Sequence, residues 1–369
     1  MLRAAVDLTS LLTPQTGVGV FALETTRRLA TRDDLAVTAF AVTWRGRGRL
    51  PSLVPPNVAV AGRPMAARPL RELWKRMDHP RVERWIGRHD VVWGPNYVVP
   101  PTRAASVVTV HDLTTVHFPP LATADTLAYP GLVQRAIDRG AWVQTPSSFV
   151  RKEVIDHFRV DPDHVVSIPL GVRPVAPGDA GAGRRLAGSD RYVLAVGTVE
   201  PRKDLPTLVR AFDLVGDGDP DVRLVVAGQN GWGAEAFDVA LRGARHGQRI
   251  VRLGWVSDHD REALLRGASV YAYPSIYEGF GFPPLEAMSA DVPVVATATG
   301  SLPEVAGPGA DLVPVGDAGA LATSLARVLS DDEHRRDLVA RGRQVVARHS
   351  WDTTAERFAA LLHRVAGTS

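Results

Sequence analysis

The sequence predicts an α/β protein of two domains, each a parallel sheet flanked by helices. Three observations carry that expectation. The chain has 369 residues, about twice the length of a typical domain. Short apolar runs alternate with helical patterns from end to end, as strand–helix–strand units require. Near the middle, Pro174–Gly188 is rich in Gly, Ala and Pro and reads as a linker, residues 174–188, between a first domain, 1–173, and a second alternation that begins at 189.

In the first half, Leu2–Leu8 reads as a buried strand, Thr9–Gln15 as a loop, and Thr16 to about Thr31 as a helix. Gly17 and Gly19 at the mouth of that helix suit backbone approach to a phosphate. The same run fits Gly-x-Gly-x-x-Ala, but the loop is long for a tight dinucleotide turn and Asp33 and Asp34 precede the second strand, which speaks against an NAD site. Leu35–Val42 is the second strand, Leu70–Met77 and Arg81–Gly87 are helices, and Asp90–Trp93 is a short strand. Ala105–Val110 is a stronger strand ending in His111-Asp112, and strand ends of a parallel sheet carry ligands, so His111 is a site candidate. A histidine satisfied by its own loop is the alternative. Leu121–Gly140 reads as one long helix, Ala141–Gln144 as a strand, Ser147–Phe158 as a capped helix and His164–Ile168 as a strand.

In the second half, Arg191–Val196 is a strand with exit loop Gly197–Asp204 and a helix from Leu205. Strands at Arg223–Ala227 and Ile250–Leu253 follow; the second leads through Trp255 and Val256 to a helix ending near Gly267. The apolar run Ala268–Pro274 then enters the stretch Tyr277–Met288, with two glycines, two prolines and a short helix. Gly279 and Gly281 permit a sharp turn, and the prolines suit a helix start. Glu278 before the turn and Glu286 inside the helix add carboxylates able to hold hydroxyls, beside free amides and a positive dipole end. An ordinary strand-to-helix connection with incidental glutamates remains the alternative at this point. Val292–Ala296 and Asp311–Val315 are strands, and Asp317–Leu329, Asp331–His349 and Ser350–Val365 are helices.

Composition removes several chemistries. There is no cysteine, which excludes disulfides, thiolate metal sites and a cysteine nucleophile. Asp217, Asp219 and Asp221 lie in a turn with no glutamate at calcium-loop spacing, and no His-Glu-x-x-His is present, so no metal site is expected. The chain enters a strand at once and has no bilayer-length apolar run, so a cytoplasmic location is expected. Net charge is only +3, yet Arg45, Arg47, Arg49, Arg63, Arg68, Arg71, Lys75, Arg76, Arg81, Arg84 and Arg88 crowd residues 44–88. Such a face suits an anionic membrane surface or a phosphorylated acceptor, with a solvated face as the alternative; no nucleic-acid motif accompanies it.

Gly197-Thr-Val-Glu-Pro-Arg-Lys203, Glu278-Gly-Phe-Gly with Glu286 eight residues on, and Gly300-Ser-Leu-Pro-Glu304 resemble glycosyltransferase family 4. The Gly17/Gly19 loop, His111-Asp112 and Thr145-Pro-Ser-Ser resemble the same family, so the likeness spans nearly the whole chain. The resemblance implies the GT-B fold, two Rossmann-like parallel-sheet domains facing across a cleft, residues 189–349 holding a nucleotide-sugar donor and residues 350–369 packing back on the first domain. It implies no cofactor and no bound metal. Arg202 and Lys203 are expected to neutralise the leaving diphosphate, with amides at Gly17 and Gly19 assisting. Glu286 is expected on the ribose diol, Glu278 and the amides of Phe280, Gly281 and Phe282 on the transferred sugar, His111 near the reacting carbon, and Trp255 and Val256 at the base.

Some family branches, including phosphatidylinositol mannosyltransferases, carry Gly-Arg where this chain has Gly197-Thr198, so Arg202 is expected to carry more of the diphosphate interaction. The Gly-Thr-Val-Glu-Pro-Arg-Lys form with His-Asp-Leu resembles mannosyl- and rhamnosyltransferases of surface polysaccharides. The resemblance therefore implies a retaining hexosyltransferase, with GDP-mannose as the first expectation for donor and a glycan or lipid-linked acceptor. A UDP- or dTDP-sugar transferase of the same family, or a sugar-nucleotide epimerase of the same fold, is the alternative.

Overall fold

The computed structural model describes residues 1–13, 16–123, 125–175 and 178–367. Pro14 and Gln15 of the first loop, Ala124 of the expected long helix, and Ala176 and Pro177 of the expected linker lie outside them. The chain forms two units, Met1–Gly171 with His349–Ser369, and Val172–Arg348.

The first unit is built on seven parallel strands: β1 Leu2–Asp7, β2 Leu35–Phe40, β3 Ala59–Ala61, β4 Val91–Gly94, β5 Ala105–Thr109, β6 Trp142–Thr145 and β7 Val165–Ser167. Their order is β3-β2-β1-β4-β5-β6-β7. The second unit has β8 Tyr192–Val196, β9 Arg223–Ala227, β10 Ile250–Gly254, β11 Val270–Tyr273, β12 Val294–Thr297 and β13 Ala310–Val313, ordered β10-β9-β8-β11-β12-β13. Every strand pair is parallel. Parallel strands are covered by helices on both faces, which is why they read as continuous apolar runs rather than alternating ones. Val193, Leu194, Val225 and Val295 are fully buried in the second unit, as are Ala5, Val92, Val108 and Val143 in the first.

Each order reverses beside its first strand, between β1 and β4 in one unit and between β8 and β11 in the other. Ligands of open α/β sheets bind outside the strand C-termini at such switch points. The final helix, Trp351–Gly367, belongs to the first unit. Phe358 packs on Trp93 with ring centroids 4.2 Å apart, and Thr354 donates to the Pro169 carbonyl at 2.9 Å. Ser350 accepts from the Asp352 amide at 3.2 Å.

Three expectations need correction. The long helix read over Leu121–Gly140 is a helix only at Tyr129–Asp138, preceded by a short 3-10 turn at Thr126–Ala128. Pro130 explains the start, because proline fits a first turn but removes a bond and clashes farther inside. The helix at Arg81–Gly87 shrinks to Glu83–Ile86, closed by Gly87 at φ 79°. The stretch read as a linker contains a helix, Ala180–Ala187, capped by Asp179 and packed on helix Asp258–Gly267 of the second unit. The composition misled there: Gly183 serves close approach, and a Cβ on it would lie 2.0 Å from the Ala263 carbonyl oxygen. Helix Glu235–Gly243 and strand β3 are additions that the sequence reading lacked.

Because of that contact, Gly183→Ala is predicted to destabilise the protein by about 1–3 kcal/mol, the usual cost of overpacking. Urea denaturation measures it. A neutral result would mean that the helix is loosely attached and the linker reading was right.

Candidate active site

The exits of β8 and β11 meet at the switch point of the second sheet. After β8 the chain turns through Pro201–Lys203 and reaches Asp204 at φ 42°, whose carboxylate accepts from Thr207 Oγ1 at 2.6 Å as helix Leu205–Gly218 begins. That cap turns Arg202 and Lys203 toward the β11 exit. The Ile276 amide donates to the Arg202 carbonyl at 2.9 Å and the Arg202 guanidinium to the Tyr277 carbonyl at 3.1 Å.

The β11 exit is itself held from behind. Ser301 donates its amide to the Glu278 carbonyl at 2.9 Å, and its hydroxyl bridges the carbonyls of Glu278 and Phe280 at 3.1 and 2.9 Å. Gly300 sits at φ 56°, where a Cβ would lie 2.3 Å from the Glu278 carbonyl oxygen. The Gly300-Ser301 pair, which the sequence reading noted without a role, thus sets the backbone of the Glu278 turn.

Inside this frame four charges collect. Oε1 of Glu278 lies 2.7 Å from Arg202 Nη1 and 2.6 Å from Lys203 Nζ, and it accepts from the Tyr273 hydroxyl at 2.8 Å. Lys203 also donates to the Tyr273 oxygen at 2.6 Å, and Arg202 pairs with Glu200 at 2.8 Å. Two carboxylates and two cations balance. Burial alone would raise the Glu278 carboxyl, but Arg202 and Lys203 outweigh it and hold the group down at about 2. The Lys203 ammonium goes the other way: burial lowers it, Arg202 adds a like charge, and Glu278 returns only part of the loss. Two neighbouring cations explain the Glu278 direction, and burial, with Arg202 adding to it, explains that of Lys203. Burial, with Glu278 beside it, keeps the Tyr273 hydroxyl protonated and donating.

Glu286 stands apart from that cluster, on helix Phe282–Ser289. Its Oε2 accepts from Arg261 Nη1 at 2.5 Å, a partner that the sequence reading did not name. Gly281 precedes the helix at φ 111°, Phe282 is its first residue, and the buried Phe280 ring meets Phe282 edge-on at 5.2 Å. Trp255 follows β10 and is 74% exposed; Val256 is half-buried.

The remaining candidates lie in the first unit. His111 follows β5, and its Nε2–H donates to the Pro95 carbonyl at 2.7 Å, which leaves Nδ1 as an acceptor. Burial holds the imidazole below its ordinary range, so it is neutral at pH 7. Phe21 and Tyr97 pack on it edge-on at 5.5 and 5.6 Å. Gly17 opens helix Gly17–Leu29, and Gly19 lies in its first turn. Among the described residues no group of three or more His, Cys, Asp or Glu is placed to hold a metal ion.

The depressed Glu278 carboxyl has a pH consequence. Its folded value of about 2 lies below its ordinary 4.5, so its contribution to stability is complete above that ordinary value and is lost as pH falls toward 2. Lys203→Met is predicted to cost about 1–3 kcal/mol at pH 7 and to shift acid unfolding to higher pH. Circular dichroism across an acid titration measures the shift. An unmoved acid limb would detach Lys203 from Glu278.

Comparison with known proteins agrees with this architecture. The family profile described as Glycosyl transferases group 1 matches residues 182–345, and that described as Glycosyltransferase Family 4 matches residues 15–175. O-antigen chain mannosyltransferase B of Escherichia coli is 31% identical over 358 residues, covering 92% of this chain and 93% of that protein. Phosphatidyl-myo-inositol mannosyltransferase of Mycobacterium leprae is 35% identical over 210 residues, 54% of each chain. Sucrose-phosphate synthase of Thermosynechococcus elongatus has the same fold, with a TM-score of 0.76 at 20% identity over 100% of this chain and 99% of that one. With a 31% identical relative matched over more than nine-tenths of both chains and two Rossmann-like parallel-sheet units, the chain has the GT-B fold and belongs to glycosyltransferase family 4, as a hexosyltransferase.

Proposed function

We propose that the enzyme moves a mannosyl group from GDP-mannose to a glycan or lipid-linked acceptor with retention of anomeric configuration. The observation that carries the reading is the pair of anchored glutamates after β11, Glu278 in the exit loop beside two cations and Glu286 eight residues on in the helix that follows. Mannose is favoured because O-antigen chain mannosyltransferase B resembles the chain over 92% of its length.

In this mechanism Glu286 holds the ribose diol, and Glu278 takes a sugar hydroxyl while balancing oxocarbenium-like charge. Its Oε2 serves that purpose, since the described partners all bind Oε1. Lys203 spends two of three donors on Tyr273 and Glu278 and turns the third to the diphosphate. Arg202 adds charge to the leaving group, without a resident metal. Phe280, Gly281 and Phe282 contribute amides to the sugar, and Trp255 and Val256 border the base. From the first unit the proposal takes His111 as a contact to the sugar and the amides at Gly17 and Gly19 as contacts to the phosphates, on family resemblance. The acceptor attacks from the face that the phosphate leaves, and the departing phosphate oxygen receives its proton. Catalysis is then positional and electrostatic.

Thermal-shift screening with GDP-, UDP- and dTDP-sugars tests the donor, because ligand well above Kd raises apparent stability by kilocalories. GDP-mannose is expected to stabilise most; a larger shift with a UDP- or dTDP-sugar reverses the donor assignment, and a changed sugar in the absence of acceptor indicates an epimerase. Lys203→Ala is expected to lower kcat by about 10²–10³-fold; an unchanged kcat would remove Lys203 from the leaving group.

The basic region supports a peripheral site on an anionic membrane. Helix Ala67–Trp74 buries Leu70 and Trp74 and exposes Arg68 and Arg71; Lys75 and Arg76 follow, exposed, with Leu73 and Met77 exposed among these cations. Such a face joins apolar insertion to charge attraction. Among the described residues no helix is long and apolar enough to cross a membrane. Cosedimentation with phosphatidylserine vesicles is expected to be strong at low salt and weak with phosphatidylcholine. Equal binding to both, or to neither, would refute the membrane reading.

A further inference from the structure

Arg261 lies outside the loops assigned to the phosphates, yet it is bound to the carboxylate assigned to the ribose. It stands near the start of helix Asp258–Gly267, and Glu286 stands in the second turn of helix Phe282–Ser289. Their side chains are 26% and 25% exposed, and the Nη1–Oε2 separation of 2.5 Å marks a charge-assisted hydrogen bond. Within 4.0 Å of the guanidinium the only other carboxylate among the described residues is Asp258 at 3.7 Å, itself 77% exposed and therefore well screened.

The pair is one-sided. Arg261 takes Oε2, and Oε1 of Glu286 receives no hydrogen bond from any described residue. A glutamate with no partner samples several rotamers, and a ligand must then bear the ordering entropy when it binds. A partner that already fixes one oxygen removes that cost and leaves the other oxygen, with two lone pairs, aimed at the ligand. The planar guanidinium suits this task, since it fixes orientation as well as charge.

We propose that Arg261 is a positioning residue for sugar-nucleotide binding: it anchors Oε2 of Glu286 and so presents Oε1 to the vicinal hydroxyls of the ribose. The inference rests on the ribose role assigned to Glu286 under the proposed function. It predicts that Arg261 affects recognition of the two hydroxyls specifically, without itself touching them.

Calorimetry with GDP and 2′,3′-dideoxy-GDP on the full chain tests it. The wild type is expected to prefer GDP by about 10-fold or more, the scale of hydrogen bonds to a charged group. Arg261→Leu is expected to reduce that preference to about 2-fold while affinity for the dideoxy nucleotide is kept, and Arg261→Lys to restore part of it. A purely structural role would weaken both ligands together and leave their ratio unchanged. An unchanged ratio in a folded Arg261→Leu protein overturns the proposal while the ribose assignment stands. A wild type that binds both nucleotides alike overturns the ribose assignment and the proposal with it. Thermal unfolding establishes that the variant is folded, and Arg261→Gln gives the same ratio if the leucine variant is not.

Discussion

A single oxygen, Oε1 of Glu278, receives Arg202, Lys203 and the Tyr273 hydroxyl, and this shared contact is the constraint on which the rest of the second unit's site depends. Burying charges is costly unless each has a partner and its remaining donors are satisfied. The surrounding features answer that requirement. Asp204 caps the helix after the cationic turn, Ser301 ties down the carbonyls of the Glu278 turn, and Gly300 lets the two loops approach. Tyr273 closes the cluster by accepting from Lys203 and donating to Glu278.

The balance of charge in that cluster shapes how the proposed chemistry works. A diphosphate arriving at Arg202 and Lys203 meets cations that already serve Glu278 and Glu200. It must share them, and the charge it brings favours the ammonium form of Lys203, which burial disfavours. The same carboxylate that stabilises the cations is the one proposed to meet the sugar. In the proposed mechanism phosphate recognition and sugar recognition are therefore coupled through one side chain, whereas Glu286, proposed for the ribose, is fixed separately by Arg261.

Much of the fold was legible because parallel strands are buried on both faces and announce themselves as short apolar runs. The second-unit strand at Arg191–Val196 and its exit loop were read within a residue of β8. Proline and glycine were harder. Pro130 starts a helix that the apolar pattern had begun earlier, and Gly183 looked like linker flexibility although it serves packing. At the site, Glu278 and Glu286 were visible as carboxylates bracketing a glycine- and proline-rich turn, and Arg202 and Lys203 through the family resemblance. The pairing of Glu278 with Arg202 and Lys203 was not, because it depends on β8 and β11 becoming neighbours although they are distant in the chain. Arg261 carried no local signal at all: on its own helix it looks like any solvated arginine, and only tertiary packing brings it to Glu286. Tyr273 likewise read as one more apolar strand residue.

The most direct test of the coupling at Glu278 is the affinity of Glu278→Gln for GDP without sugar, measured by calorimetry. If the carboxylate faces the sugar and shares its cations with the diphosphate, removing its charge frees Arg202 and Lys203, and GDP binds at least as tightly as to the wild type. A loss of about 10-fold, one hydrogen-bond's worth or more, would mean that Glu278 serves only to hold the cations in place, and would contradict the account.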